Sequence, residues 1–188
     1  KGYLQTKSGS LGFGERWMRT HTSGGTDGTQ SICGSAGHWD YDGLTQPRVT
    51  QGFTHGQNGD LVLRFGSNLS NGANAASWGI NNVKLTQTTT SKVIFHDTAP
   101  SFDGWGPAKS TNSCSSAITG EYLGGANSSF GAGTEAVLAA ELAPGNYLVD
   151  FNFYQFDSWD GEVGYLKYNN TYIWQHPHYY DPQNGTNL

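Results

Sequence analysis

Charged side chains are scarce in this chain: Asp, Glu, Lys and Arg together make up 13% of its 188 residues. Soluble domains usually carry about 25%. The ten Lys and Arg are scattered rather than gathered in a basic stripe, and the formal net charge is −5. A protein that binds nucleic-acid phosphates needs clustered cations. The composition therefore excludes nucleic acid as a partner.

Cysteine, methionine and long apolar runs are also rare. The chain has two Cys and one Met, and no apolar stretch reaches the roughly 18 residues that a membrane span requires. No signal peptide is visible, so we expect the chain from Lys1 to be a processed product. Low charge, a Thr-rich stretch at 86–91 and only two cysteines together favour an extracellular location.

Glycine and aromatic residues are abundant, at 27 residues and 13% respectively. Glycine is unfavourable in helices, whereas aromatic and β-branched residues suit pleated strands. The clearest strand is segment 145–157, where polar and apolar residues alternate. One face of it carries Tyr147, Val149, Phe151 and Phe153, and the other carries Asp150 and Asn152.

Further segments have strand character, namely 60–67, 80–87, 91–97 and 164–176, the last broken by an Asn-Asn turn. Segment 134–142 is the best helix candidate by propensity, but its short length and Gly-rich flanks favour a strand. Short strands between turn signals predict an all-β fold, an antiparallel jelly-roll-like β-sandwich. The Thr-rich stretch would divide the chain into segments 1–88 and 89–188, as two domains or as parts of one composite domain.

Asparagine sequons for N-glycosylation occur at four positions. These are Asn68, Asn127, Asn169 and Asn184. Covalent glycans on polar loops would shield a surface that has little charge to keep it soluble.

The segment "DSWDGE" (157–162) concentrates three carboxylates in a chain where charge is scarce. A glycosidase needs a second carboxylate across a cleft. No distant acidic residue in the sequence is identified as a partner for this segment, so we do not expect a catalytic pair. Calcium prefers hard oxygen ligands, and a Ca²⁺ site is one interpretation; a tight turn with a core tryptophan is the alternative. The candidate ligands are Asp157, Asp160 and Glu162 of this segment, Asn81 and Asn82 of "WGINN", and Asp40 and Asp42 of "HWDYDG".

No nucleophile elbow, phosphate-binding loop or dinucleotide fingerprint is present, so we expect no enzymatic activity. Carbohydrate binding is the competing function, because jelly-roll sandwiches often bind sugars through exposed aromatic side chains. Candidates in loop-like contexts are Trp39, Trp105, Tyr179 and Tyr180. Packing at the edges of the sandwich is the alternative for these residues.

The order of motifs in the second half of the chain is distinctive. "FDGWG" (102–106), "YLGG" (122–125), "FGAGT" (130–134) and "DSWDGE" follow one another, whereas "SICG" (31–34), "LVLRFGSNL" (61–69) and "ASWGIN" (76–81) come earlier. These motifs resemble a repeat of large extracellular proteins of ciliates, other protists and algae. In that repeat the second group follows the first, and the closing motif carries a carboxylate where this chain has Ala76.

The reversed order implies that each chain holds the closing half of one repeat and the opening half of the next. The chain ends at "NGTNL" (184–188), where the repeat would place its Cys-Gly. In the repeat the two cysteines pair. The resemblance therefore implies that Cys33 and Cys114 bridge, within one chain or, if chains assemble, between neighbouring chains.

The N-terminal "KGYLQ", with Tyr3 and Leu4, resembles "VGYLK" (163–167). The first could thus replace the second in a neighbouring unit. We therefore expect a homopolymer, a fibril or surface coat in which chains join head to tail by strand addition. In such an assembly Trp159 of one chain would pack near Trp78 of the next. The alternative is a self-contained, calcium-dependent carbohydrate-binding monomer.

Overall fold

A computed structural model describes residues 16–19, 45–73, 76–97, 105–106, 111–113, 121–124, 130–157, 159–181 and 186–187. All regular structure in this part of the chain is β-strand. The strands are β1 (Arg16–Arg19), β2 (Thr45–His55), β3 (Gly59–Ser67), β4 (Ala76–Gln87), β5 (Lys92–Asp97), β6 (Trp105–Gly106), β7 (Thr111–Ser113), β8 (Glu121–Gly124), β9 (Glu135–Leu142), β10 (Gly145–Asp157), β11 (Asp160–Tyr168), β12 (Thr171–Asp181) and β13 (Thr186–Asn187).

The strands form two antiparallel sheets. Sheet 1 has the order β1-β2-β10-β4-β8-β7, and β5 pairs with the second half of β4 on the side where β8 pairs with the first half. Sheet 2 has the order β13-β12-β11-β3-β9-β6. The prediction of an all-β antiparallel sandwich is confirmed. The jelly-roll order of its connections stays a prediction.

Both halves of the sequence contribute to both sheets. In sheet 1, β10 from the second half lies between β2 and β4 from the first. In sheet 2, β3 from the first half lies between β11 and β9 from the second. Within the described residues, each half therefore obtains its strand partners largely from the other half.

The core lies between the sheets and is largely aromatic. The ring of Phe151 in sheet 1 lies 5.0 Å from that of Phe65 and 5.2 Å from that of Trp174, both in sheet 2. The inner face of β10 carries the four apolar side chains that its alternation predicts, and all are buried. Segment 134–142 is strand β9 rather than a helix, because its even-numbered side chains face the core and it pairs with β3.

Two asparagine features shape the strands. The predicted turn at Asn169 and Asn170 joins β11 to β12, and both residues have the positive φ, 44° and 69°, of a tight hairpin turn. In β4, a β-bulge opposite β10 leaves Asn82 at φ 52°. The bulge changes the alternation, so that even-numbered residues up to Ile80 and odd-numbered residues from Val83 face the core.

Candidate functional site, a junction of four sequence motifs

Four of the motifs identified in the sequence meet at one end of the sandwich. Trp78 of "ASWGIN", Gly124 of "YLGG" and Phe130 of "FGAGT" surround one another, and Trp159 of "DSWDGE" is bound alongside. With Phe153 of β10, these residues are called the motif junction. Each of its aromatic side chains is at most 2% exposed. The motifs thus supply buried architecture at this point.

Trp78 is at the centre of the motif junction. Its ring stacks on Phe153, with ring centroids 5.4 Å apart and planes inclined by 4°. Its ring centroid lies 4.4 Å from that of Phe130, and its backbone N–H donates to the Phe130 carbonyl at 3.1 Å. Stacked aromatic pairs contribute about 0.5–1.5 kcal/mol beyond the area they bury. Trp78 therefore ties "FGAGT" to sheet 1 through both its ring and its backbone.

Trp159 joins the acidic segment to the other Ser-Trp motif. Its indole Nε1–H donates to the backbone carbonyl of Ser77 at 3.1 Å, and Trp159 is 1% exposed. The backbones also pair, with Phe156 opposite Ser77 and Asp157 opposite Ala76. The two motifs therefore join within a single chain. The sequence predicted this contact between neighbouring chains, and a contact of that kind between chains stays a prediction.

Gly124 is required by its surroundings. It has φ 103°, a conformation that residues with a side chain rarely adopt. A Cβ atom at this position would lie 2.4 Å from Phe130 Cδ2 and 2.5 Å from the backbone oxygen of Trp78. Because the backbone atom cannot rotate away, only glycine allows β8 to approach β4 here. The second residue of the Leu-Gly-Gly turn is explained by this contact.

Asn81 organises a buried polar group beside the junction. Its Oδ1 accepts hydrogen bonds from Asn152 Nδ2 and Tyr154 OH, both at 2.9 Å, and from Asn82 Nδ2 at 3.2 Å. Tyr154 is fully buried and lies beside Tyr122, with ring centroids 5.7 Å apart. Buried polar groups left without partners cost about 1–3 kcal/mol each. Asn81 therefore satisfies donors on the outward side of sheet 1.

The predicted calcium ligands differ in how much of each residue the structure describes and in whether its oxygen atoms already accept hydrogen bonds. The structure describes the backbone of Asp157 and Asp160, which end β10 and begin β11, but not their side chains. Asn81 Oδ1 already accepts three hydrogen bonds. Glu162 lies half-buried on β11 and Asn82 is exposed, and the remaining candidates, Asp40 and Asp42, lie outside the described residues. In the described part of the chain, no three His, Cys, Asp or Glu side chains come together as a metal-binding group.

Trp105 was a candidate sugar-binding aromatic, and the structure places it in the core instead. It lies in β6, is 3% exposed, and donates from Nε1 to Asp97 Oδ2 at 3.0 Å. Its ring centroid lies 5.6 Å from that of Phe65. Trp105 and Gly106 form a two-residue strand that pairs with β9, so Trp105 packs inward rather than projecting from a loop.

Several other predicted residues cannot be placed. Trp39, Tyr3, Leu4, Cys33, Cys114, Asn127 and Asn184 lie outside the described residues, as do the side chains of Tyr179 and Tyr180. The predicted disulfide, the N-terminal strand contacts and two of the four sequons therefore stay predictions.

A polar cluster on the outer face of sheet 2 was not predicted. It consists of Arg64, Glu135, Tyr165, Lys167 and Tyr172, from four adjacent strands, and is called the Glu135 cluster. Glu135 Oε1 accepts from Tyr165 OH and Lys167 Nζ, both at 2.9 Å, and Oε2 accepts from Arg64 Nη1 at 3.2 Å. Lys167 Nζ also lies over the rings of Tyr165 and Tyr172, at 4.4 and 4.9 Å from their centroids.

The Glu135 cluster is electrostatically satisfied. Burial alone would raise the pKa of Glu135, but hydrogen bonds from Lys167 and Tyr165 outweigh it, and the pKa lies below 4.5. Burial, with the hydrogen bond to Glu135, raises the pKa of Tyr165 to about 12. For Lys167, burial lowers the pKa, but the hydrogen bond to Glu135 and its charge outweigh that effect. The net pKa of Lys167 therefore lies above 10.5. A carboxylate held ionised by three donors is a poor base. The role of the Glu135 cluster is therefore structural: its hydrogen bonds cross-link neighbouring strands of sheet 2.

These pKa shifts predict how stability depends on pH. The lowered pKa of Glu135 gives a contribution that is present above about pH 4.5 and lost as pH falls through the folded value. The raised pKa values of Tyr165 and Lys167 give contributions that are present below about pH 10 and lost as pH rises through the folded values. We expect the difference in melting temperature between wild type and Glu135→Gln to be constant at neutral pH and to shrink at both extremes.

The control for this measurement is Glu141→Gln, since Glu141 is exposed on the same strand. It should leave the melting temperature close to that of wild type across the same pH series. A Glu135→Gln variant with the same pH profile as Glu141→Gln would contradict the electrostatic account of the cluster.

Within the described residues no helix occurs, and therefore none that is long and apolar enough to cross a membrane. Comparisons with protein-family models, with curated proteins and with solved structures find no match to this chain.

Proposed function

We propose that this protein is a structural subunit of an extracellular filament or surface coat, in which copies of the chain join by β-strand addition. The observation that carries the proposal is the outer edge of β2 in sheet 1. There, backbone N–H and C=O groups point away from the sandwich and have no strand partner among the described residues. Unpaired edges of this kind are templates for pairing with another chain.

The direction of the β2 backbone follows from the pairing in sheet 1. Thr88 N–H donates to the Asn146 carbonyl at 2.9 Å, so Asn146 directs its backbone groups toward the end of β4. Its neighbour Tyr147 must then direct its groups toward Phe53 in β2, because alternate residues of a strand face opposite neighbours. Gly52, adjacent to Phe53, therefore points its N–H and C=O outward.

The same edge already accepts a short strand. β1 pairs with the first part of β2, from Arg19 opposite Thr45 to Arg16 opposite Arg48. From Val49 to His55 the described residues provide no partner on that side. A strand from a second copy could continue the ladder over this stretch.

The edge of sheet 2 is protected by a proline. Val163 exchanges backbone and side-chain hydrogen bonds with Asn68, the residue after β3, so its pairing with Pro177 in β12 is of the non-hydrogen-bonded kind. Pro177 therefore turns its ring nitrogen outward, where it offers no donor. Proline at an edge discourages strand addition. This contrast favours β2 over β12 as the joining edge.

The motif junction supports a structural role over carbohydrate binding. Its aromatic side chains are buried, and the burial of Trp105 removes one of the four proposed sugar-binding aromatics. We propose Ca²⁺ as a stabilising ligand at the turn between β10 and β11. Gln155, just before that turn, is 2% exposed, and its amide has no partner among the described side chains. An amide oxygen is a ligand that Ca²⁺ accepts.

A substitution at Gly52 tests assembly through β2. Proline at this position removes the outward N–H and suits an edge strand, so Gly52→Pro should remain monomeric where wild type forms higher-order species. Light scattering coupled to size-exclusion chromatography and negative-stain microscopy measure both states.

Gly52→Ala is the matched control. An added Cβ would come no closer than 3.5 Å to a neighbouring atom, which is ordinary contact, and the N–H is retained. It should assemble like wild type, and the monomers of both variants should melt at similar temperatures. Wild-type protein that is monomeric at micromolar concentration, or a Gly52→Pro variant that assembles like Gly52→Ala, would refute the proposal.

A further inference from the structure

Two asparagine side chains close the ladder between β3 and β11, one at each end. The backbone pairing runs from Gly164 opposite Ser67 to Tyr168 opposite Leu63. The next position at one end places Asn68 opposite Val163, and the next at the other end places Asn169 opposite Val62. At both positions, the asparagine side chain takes over the acceptor role of a backbone carbonyl.

The two ends share the same pattern of hydrogen bonds. Asn68 N–H donates to the Val163 carbonyl at 3.1 Å, and Val163 N–H donates to Asn68 Oδ1 at 2.6 Å. Asn169 N–H donates to the Val62 carbonyl at 3.0 Å, and Val62 N–H donates to Asn169 Oδ1 at 3.0 Å. We call this arrangement an asparagine clamp. Each clamp adds a reciprocal pair of hydrogen bonds where the strands diverge.

Each clamp uses one half of the side-chain amide. The Oδ1 atoms of Asn68 and Asn169 face the neighbouring strand, whereas their Nδ2 atoms have no hydrogen-bond partner among the described residues. Both residues are exposed. Each is also the first residue of a sequon, Asn68-Leu69-Ser70 and Asn169-Asn170-Thr171. The free half of each amide is therefore the half that N-glycosylation modifies.

We propose that Asn68 and Asn169 are N-glycosylated and that each keeps its clamp after modification. The co-reactant is a lipid-linked pyrophosphoryl oligosaccharide. A bond forms between Nδ2 and the anomeric carbon of the sugar, the bond from that carbon to the phosphate oxygen breaks, and Nδ2 loses one proton. The lipid pyrophosphate leaves with the proton, and the primary amide becomes a secondary amide whose carbonyl is intact. Oδ1 therefore accepts from Val163 or Val62 as before.

This inference rests on the proposed function in one respect, since N-glycans are added in the secretory pathway. It extends that function by assigning the modified residues and by linking them to fold stability. The hydrogen bonds of the clamps form when β3 and β11 pair, so each sequon can be modified while extended and then fold into its clamp.

Site occupancy is measured on protein isolated from its natural source. Peptide mapping after amidase deglycosylation in heavy-oxygen water converts each glycosylated Asn to labelled Asp. We expect label at Asn68 and Asn169. An unlabelled residue at both positions would overturn the modification.

Matched variants separate the glycan from the clamp. Ser70→Ala and Thr171→Ala each destroy one sequon but keep both asparagines. Each variant should therefore lose one glycan and, once its remaining glycans are removed, match the melting temperature of deglycosylated wild type. Asn68→Asp also keeps a side-chain acceptor. Asn68→Ala removes it and should melt about 2–4 °C lower than Asn68→Asp, the effect expected for one lost hydrogen bond. Equal melting temperatures for these two variants would overturn the clamp.

The outcome is distinguishable from the failure of the assembly proposal. Glycosylated Asn68 and Asn169 in a strictly monomeric protein would refute assembly and support the inference. Filaments built from protein that is unmodified at both residues would do the reverse.

Discussion

Trp159→Ala should lower the free energy of unfolding by about 3–5 kcal/mol, the usual cost of removing a large buried aromatic side chain. Trp159 is 1% exposed and donates its indole N–H to the carbonyl of Ser77. Its removal leaves a cavity at the motif junction and frees that carbonyl. Since a domain is stable by about 5–15 kcal/mol in total, the variant should be close to unfolding. Urea unfolding followed by far-ultraviolet circular dichroism measures the difference.

Two further variants help to interpret the stability lost in Trp159→Ala: one removes mainly the hydrogen bond, and the other is a surface control. Trp159→Phe keeps most of the ring but cannot donate to Ser77, so it should cost about 1 kcal/mol from the hydrogen bond in addition to a small packing loss. Val93→Ala serves as the surface control, because Val93 is 47% exposed, and it should change stability by about 0.5 kcal/mol or less. If Trp159→Ala were as mild as Val93→Ala, the tryptophan would not belong to the core.

Gly124→Ala should destabilise the protein by about 2–5 kcal/mol. About 1–2 kcal/mol comes from placing a residue with a side chain at positive φ, and about 1–3 kcal/mol from overpacking. The upper end is expected, because a Cβ would overlap the backbone oxygen of Trp78 at 2.5 Å as well as the Phe130 ring. The same unfolding measurement applies.

Gly133→Ala isolates the backbone contribution. Gly133 has φ 69°, and nothing lies within 4 Å of the position that its Cβ would take. Only conformational strain should therefore appear, about 1–2 kcal/mol. A Gly124→Ala variant no less stable than Gly133→Ala would show that β8 does not approach β4 as closely as described.

Local patterns in the sequence were sufficient to predict β9, β10 and most of β3, β4, β5, β11 and β12, but not β2, whose residues 45–55 were assigned no strand. Alternation in segment 145–157 identified the core face of β10, and the Asn-Asn pair after Tyr168 identified the hairpin turn. Both predictions needed only residues near one another in sequence. Segment 134–142 was harder, since its Ala and Leu content suits a helix, but its Gly-rich flanks correctly favoured a strand.

Long-range contacts could not be predicted in the same way. Arg64 and Glu135 each lie on the outward side of an alternating strand, and nothing local in the sequence shows that they meet on one face. The register that joins them depends on β3 lying between β9 and β11. Tyr165 and Lys167 alternate with the core residue Leu166, and this pattern indicated that they lie on the outer face of the strand. It did not indicate which residues of other strands lie beside them.

The motifs were easier to detect than to interpret. Sequence analysis expected Trp159 to lie near Trp78 of a neighbouring chain, whereas within the described chain Trp159 bonds to Ser77, the residue before Trp78. Trp105 was proposed as a loop aromatic because glycines surround it, whereas β6 is a short strand that directs it inward. In both examples, the missing information was which strand lies beside which.

The central position of β10 in sheet 1 has a consequence for synthesis on the ribosome. Thr50 of β2 bonds to Asp150 of β10, and these residues are 100 positions apart. In sheet 2, β3 can pair only after both β9 and β11 have been made. Among the described strands, sheet 1 is therefore complete only once residue 157 has emerged, and sheet 2 only once residue 187 has emerged. Distant pairings of this kind make folding slow. During that delay the edges of β2 and β4 that receive β10 stay unpaired, and in a crowded compartment the first matching β10 that they meet can belong to another newly made chain.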